Sequence, residues 1–324
     1  MNKLLVIGVI HSCYDELKEL VETADLDSSD VIATVGDIWS MGPKPKETLA
    51  YIKEKKIIDA LSHHDVQHLF AESNNPKGAL VASVNICRER QAGPEASAEF
   101  VDYLSHQARA IVTPYCDIVH AGIDPRVPLE QQDPVIMMGE GPSLDGKLME
   151  ELGDYWYKFY DWPKPMVIGP THFNQVRRFG VTSENPNDPF DWRNPGEGRV
   201  IGLETDCVRG GRLTGILFSP QNPEGEFLSV AAKENYWERV QEEFGVKPKI
   251  WTLENMVQEE RRRWTAYCDS MASRLDAIQT IPRVRTVTAI TLDEASEGAG
   301  RGSLDVNRDE IRTVPNPAEK KIER

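Results

Sequence analysis

Short apolar runs alternate with amphipathic segments along the first half of the chain, and that alternation confines the fold to strands joined by crossover helices. Leu4 to Ile10 reads as a buried strand and Asp15 to Thr23 as a helix carrying Leu17, Leu20 and Val21 on one face. Val31 to Val35 is a second strand. Pro45 opens a helix through Lys55 with Leu49 and Ile52 at helical spacing, and Ile57 to Leu61 makes a third strand. A helix over Ala96 to Ala108 precedes a strand pair, Ala110 to Val112 and Cys116 to Val119, turned at Pro114. Three further strands fall at Met166 to Gly169, Val200 to Leu203 and Leu213 to Phe218, and core strands are expected to finish near Val230. The Pro, Gly, Asn and Asp content of Val181 to Arg199 makes that stretch a long loop.

From Lys233 the pattern changes. Thr252 to Thr280 carries Leu253, Val257, Trp264, Met271 and Leu275 in one stripe, which reads as a long amphipathic helix docking on the core or on a second copy of the chain. Arg261, Arg262 and Arg263 beside Glu259 and Glu260 read as a solvated, self-paired face. From Leu292 the chain is rich in Gly, Ser and charge with few apolar anchors. The expected organisation is an α/β domain over residues 1–234, a helical extension over 235–285 and a disordered tail over 286–324.

The 324 residues, 40% hydrophobic and 27% charged, suit a globular chain with a sizeable core. A net charge of −15 repels a phosphate backbone, so nucleic acid is not an expected partner. Lys3 and the run Leu4 to Ile10 mimic a leader, but the run is short and meets His11 with no small-residue cleavage site. No stretch approaches the roughly 20 apolar residues of a membrane helix. The five cysteines form no C-x-x-C pair, which suits buried thiols in a reducing compartment. A soluble, cytoplasmic protein is expected.

The seven histidines carry the chemical signal. His11 ends the first strand, Asp37 the second, His63 and His64 the third and His120 a later one, while His172 follows the Met166 strand. His68 and His106 lie outside that pattern. In open α/β sheets ligands bind beyond the carboxyl ends of strands, so these side chains are expected to share one crevice. Neutral nitrogen and anionic oxygen together suit Mn, Fe or Zn. The chain has no P-loop Gly-Lys-Ser/Thr, no H-E-x-x-H, no G-x-S-x-G and no G-x-G-x-x-G after the first strand. A Cys-His protease built on Cys13 lacks an orienting third residue.

At these residues the sequence resembles the calcineurin-like metallophosphoesterases, particularly the branch holding the serine/threonine protein phosphatases and the symmetrical diadenosine tetraphosphatases. Gly8 to Leu17 is similar to the family's G-D-I-H-G followed by C-Y-D-E-L, and Gly36 to Pro43 to its G-D-x-x-D-R-G-P. Ser62 to Asp65 falls on G-N-H-D, His120 to Gly122 on H-A-G, Gly169 to Thr171 on G-H-T, and Thr205 to Thr214 on T-G-C-V-Y-G-G-x-L-T. The likeness spans roughly residues 3 to 232 and implies a two-sheet β sandwich flanked by helices, with the C-terminal helical extension outside it.

In that family two metal ions clamp a phosphoryl group. The resemblance implies His11, Asp37, His63, His120 and, as in some relatives, His172 as metal ligands, with His64 as general acid and Asp65 beside it. It also exposes departures. Val9 replaces an aspartate ligand, Pro170 a histidine ligand and His63 an asparagine ligand. Ser40 stands where an aspartate would orient His64, and Met41 where an arginine would hold phosphate; Arg177 and Arg178 are candidates to replace that clamp. Asp37, His63 and His120 still make a three-ligand set, so one ion rather than two is expected.

These residues imply a metal-dependent phosphoester hydrolase with a degraded dinuclear site and weakened or altered activity. The alternative is an inactive pseudophosphatase that binds a phosphorylated or nucleotide ligand or a protein partner, and a third reading is purely structural. Expected partners are a phosphorylated small molecule, nucleotide or phosphoprotein, and a second copy of the chain through the C-terminal helix.

Overall fold

The structure is a computed structural model that describes residues 2–72, 82–139, 148, 151–153, 155–169, 177–179, 199–245 and 285–290. The first half runs β1 (Leu4–Ile7), α1 (Tyr14–Thr23), β2 (Val31–Thr34), α2 (Pro45–Lys55), β3 (Ile58–Asp59), α3 (His63–Glu72), α4 (Ala82–Asn85), a π-helical turn (Ile86–Ala92) and α5 (Gly93–Ser105). It continues through β4 (Ala108–Val112), β5 (Asp117–Val119), α6 (Pro134–Met138), β6 (Met166–Ile168), β7 (Arg177–Phe179), β8 (Val200–Gly202), β9 (Arg212–Ser219), β10 (Asn222–Ala231), α7 (Tyr236–Glu243) and β11 (Arg285–Ala289).

Two mixed sheets stack face to face. One has the order β10-β9-β1-β2-β3 and the other β11-β4-β5-β6-β8-β7. β1 pairs in parallel with β2 and antiparallel with β9, so it is central and all four of its residues are buried. The strand's twofold alternation then sorts them. Leu5 and Ile7 face a layer shared with Leu17, Leu20 and Ile52 of the flanking helices, whereas Leu4 and Val6 face Ile111, Ile118, Val167 and Ile201 of the opposite sheet. A third apolar layer, with Trp156 and Tyr160 against Val119, Met166 and Val200, covers the outer face of the second sheet.

The elements expected over residues 4 to 61 form with small changes of boundary, and three differences have physical causes. Ala108 opens β4 instead of closing a helix, because its carbonyl accepts the Leu61 amide at 2.9 Å and ties the two sheets together there. β3 is only two residues long, and His63 and His64 begin α3. Strands do not finish near Val230: β11 adds in parallel to β4, pairing Val287 with Ala110, so residues 285–289 belong to the second sheet although they lie where extension and tail were expected. The extension's first helix, α7, buries Tyr236 and Val240 against the core. The helix expected over Thr252 to Thr280, the tail from Leu292 and the loop 181–198 lie outside the described residues.

Cys13, Cys87, Cys116 and Cys207 are free and buried, as small hydrophobes should be. Among the described residues no helix is long and apolar enough to cross a membrane.

The turns that follow β1 and β2 are packed backbone to backbone. A Cβ on Gly42 would stand 1.9 Å from the His11 carbonyl oxygen and 3.0 Å from the Ser12 carbonyl carbon. Gly42→Ala is therefore expected to lower stability by roughly 2–3 kcal/mol, read as a reduced urea midpoint at unchanged m value.

Candidate metal and active site

The turns after β1 and β2 are zipped together by two hydrogen bonds, from the His11 amide to the Asp37 carbonyl at 2.7 Å and from the Ser12 amide to the Ile38 carbonyl at 2.8 Å. Both turns need left-handed backbone at residues that disfavour it: φ is +45° at His11, +57° at Ser12, +53° at Asp37, +79° at Ser40 and +59° at Met41. That strain persists because a third element over-determines the turn. Asp65, on the first turn of α3, accepts the Asp37 amide at 3.0 Å, the Ile38 amide at 3.3 Å and the Ser62 hydroxyl at 2.6 Å.

His120 arrives from the end of β5. Its Nδ1 donates to the Val35 carbonyl at 2.7 Å, which sets the tautomer and leaves the Nε2 lone pair for the crevice. The ring fits because Gly36, at φ +101°, has no Cβ; one there would lie 2.9 Å from His120 Nδ1.

Asp37 is the hub. Its Oδ2 faces His11 Nε2 at 3.5 Å, and its Oδ1 faces His63 Nδ1 at 3.8 Å and His120 Nε2 at 3.7 Å. The two imidazole nitrogens are 3.1 Å apart. A circle through Oδ1 and these nitrogens has a radius of about 2.1 Å, the length of a zinc–imidazole or zinc–carboxylate bond. Among the described residues, buried Asp37 Oδ1 meets no hydrogen-bond donor and buried His11 Nδ1 has no hydrogen-bond partner. A buried carboxylate oxygen left bare is costly, and a cation at this point would satisfy it. The residues present thus fit a divalent ion. A second group, His11, Asp37 and His64, also brings three ligand atoms within 4.8 Å of one another.

The electrostatics suit ligation. Burial pushes His11 and His120 down to about 4, Asp37 opposing, so both rings are neutral near pH 7 and offer lone pairs. Burial alone would raise the Asp37 carboxyl, but the surrounding imidazoles of His63, His120, His64 and His11 outweigh it and hold the carboxyl well below the usual range.

His11, Asp37, His63, His64 and His120 therefore meet as the sequence implies. His64 Nδ1 lies 3.2 Å from Ser40 Oγ, so the serine hydroxyl occupies the place of the orienting carboxylate. Asp65, expected beside His64, accepts from the Asp37, Ile38 and Ser62 donors, so its carboxylate shapes the turn. Val9 is 6% exposed and joins the apolar layer between the sheets, offering no ligand. Pro170 and His172 lie outside the described residues. Arg177 and Arg178 fall on β7, the edge strand of the second sheet, paired with Gly202 and Ile201. Sequence reasoning missed the brace at Asp65 and the opening at Gly36; the only signal for either was the motif position itself.

The fold is that of the calcineurin-like metallophosphoesterases, two mixed sheets flanked by helices. A solved structure described as "a putative diadenosine tetraphosphatase" superposes with a TM-score of 0.53 at 20% identity over 71% of this chain and 94% of that one. In sequence the chain is similar to the symmetrical bis(5'-nucleosyl)-tetraphosphatase of Aeromonas hydrophila subsp. hydrophila, 31% identical over 124 residues, covering 37% of this chain and 44% of that protein. The corresponding tetraphosphatase of Klebsiella pneumoniae (strain 342) is 33% identical over 135 residues, covering 39% and 45%. The match thus spans less than half the length of these curated relatives. No protein-family model matches the chain.

Two outcomes are expected. Asp65→Ala strips acceptors from buried backbone amides, and urea unfolding should show a loss of roughly 3 kcal/mol. His68 is buried between Trp39 and Phe100, both ring nitrogens without a hydrogen-bond partner among the described residues, and burial lowers its pKa to about 3. The unfolded chain, with the ordinary value of 6.5, binds a proton the folded chain refuses, so this contribution is complete above pH 6.5 and is lost as pH falls toward about 3. His68→Phe should flatten the acid-side decline of unfolding free energy by roughly 1.4 kcal/mol per pH unit in that window.

Proposed function

We propose that this chain is a metal-dependent phosphoester hydrolase working from one ion held by Asp37, His63 and His120. The observation that carries the reading is the triangle of Asp37 Oδ1, His63 Nδ1 and His120 Nε2, with sides of 3.1, 3.7 and 3.8 Å and a bare buried oxygen at one corner. A divalent ion bound there would supply a Lewis acid for a phosphoryl oxygen and make a nearby water more acidic.

The chain's own residues set the rest. His120 is locked by Val35 with its lone pair outward, and Asp37, anionic over the working range, presents one oxygen to each group of histidines. His64 is kept neutral by burial, and Ser40 has no charge with which to stabilise an imidazolium. The ring therefore carries no imidazolium proton to donate near pH 7. Esters whose leaving oxygen needs no protonation, such as aryl phosphates and phosphoanhydrides, suit this arrangement better than alkyl phosphates. The names of the relatives make symmetrical dinucleoside tetraphosphates, which are phosphoanhydrides, the natural candidate within that class.

Metal analysis of the purified chain should find about one ion of Mn, Fe or Zn per molecule, and an aryl phosphate should be turned over. Asp37→Asn should release the metal and lower turnover on the order of 10²-fold or more. Protein that holds no metal and turns over neither an aryl phosphate nor diadenosine tetraphosphate would leave the ligand-binding pseudophosphatase as the better reading. Ser40→Asp should raise turnover of an alkyl phosphate more than that of an aryl phosphate, since it restores a carboxylate partner to His64. An equal effect on both would place proton donation elsewhere.

A further inference from the structure

Apart from the Asp37 cluster, three buried side chains that the phosphoryl chemistry does not use converge on one point. Cys13 is 1% exposed, Glu16 0% and Cys207 3%. One ligand atom from each, the two sulfurs and a carboxylate oxygen, lies within 4.8 Å of the other two. We propose that Cys13, Glu16 and Cys207 form a second, structural metal site that takes a soft divalent ion of the zinc class between α1 and the Cys207–Arg209 turn. The inference does not rest on the hydrolase reading, and its ion is additional to the one at Asp37.

Glu16 is only half satisfied. Its Oε1 accepts the Tyr236 hydroxyl at 2.7 Å and the Lys233 amide at 3.1 Å, so α7 and the residues leading into it fix the orientation of the carboxylate. Its Oε2 is buried and meets no hydrogen-bond donor among the described residues. Cys13 and Cys207 belong to the same apolar layer as Leu17, Leu213 and Tyr236, and a bare carboxylate oxygen in such surroundings is costly unless a cation or a donor reaches it. The Cys207 end is equally fixed. Its turn is closed by the Gly211 amide on the Asp206 carbonyl and the Arg212 amide on the Thr205 carbonyl, each at 2.8 Å.

The spacing admits an ion. Three atoms no more than 4.8 Å apart share a point at most about 2.8 Å from each, and zinc bonds about 2.3 Å to sulfur and about 2.1 Å to oxygen, so side-chain shifts under about 1 Å close the set. A tetrahedral site takes one more ligand, and the His11 carbonyl oxygen, 3.7 Å from the Cys13 sulfur, lies beside the set. On binding, both thiols release their protons to solvent, and two thiolates with one carboxylate leave a single net negative charge around a dication. Cys13 is the N-cap of the ten-residue α1, whose amino end supplies partial positive charge there. Thiolate sulfur selects zinc over the harder Mn(II), so this site and the imidazole–carboxylate hub differ in the ion they prefer. An ion here joins the turn after β1, the Cys207 turn and, through Glu16, α7.

The experiment adds Co(II), a spectroscopic stand-in for zinc, to the full chain kept reduced with a phosphine, in the native protein and in Asp37→Asn, which removes the shared carboxylate from the imidazole hub. The expected result in both is a near-ultraviolet sulfur-to-cobalt charge-transfer band, which nitrogen and oxygen ligands do not give, displaced by about one equivalent of Zn(II). Cys207→Ser should lose about half of that band and the double variant Cys13→Ser/Cys207→Ser all of it, since the proposed site holds two sulfurs. Glu16→Gln keeps the side chain's shape and its Oε1 acceptor, so it guards against misfolding of the serine variants; its Kd for Co(II) should rise roughly 10-fold or more. Zn(II) should also raise the urea midpoint of Asp37→Asn protein. No sulfur band in the native chain, a band that survives in the double serine variant, or a Glu16→Gln Kd within twofold of the native value overturns the proposal. The hydrolase reading stands or falls separately, on metal held at Asp37 and on turnover.

Discussion

A single buried carboxylate, Asp37, organises this molecule around itself. An anion with 3% exposure cannot stand alone in a protein interior, and four imidazoles approach it from the ends of β1, β3 and β5. The histidines are equally dependent on it, because burial makes them poor bases and the carboxylate is the favourable charge each of them meets. Together they bring an oxygen and two nitrogens within 3.8 Å of one another.

The sandwich exists to hold that geometry. β1 and β2 must run in parallel and end together for their turns to be joined by backbone hydrogen bonds, and both turns carry residues in left-handed conformations that local sequence opposes. Tertiary contacts supply the compensation: Asp65 collects the stray amides, Gly36 makes room for the His120 ring, and the apolar layers on both faces of β1 prevent relaxation. Asp65 and Gly36 shape the crevice through these contacts.

Chemically, the site keeps its ligands better than its accessories. Val9 has joined the apolar layer, Ser40 offers His64 a hydroxyl in place of a charge, and Met41 offers phosphate nothing. On the proposed reading, these changes would leave a metal site with weak proton donation, which would favour substrates whose leaving groups depart as stable anions.

Much of this was legible in residue order. The alternation from Leu4 to Leu61 specified parallel strands with crossover helices, and histidines at successive strand ends specified a shared crevice, because a strand's carboxyl end is a local property that the chain announces in its own pattern. Ser40 beside His64 was readable from the motif in the same way. What the pattern could not announce was anything resting on contact between distant segments. Whether Asp65 faces the His64 ring or the backbone of Asp37, whether Ala108 ends a helix or opens a strand, and whether residues 285–289 rejoin the second sheet are decided by hydrogen-bond partners far away in sequence. Periodicity reports which face of an element is apolar; only the folded chain reports what that face, or a lone donor, meets across the gap.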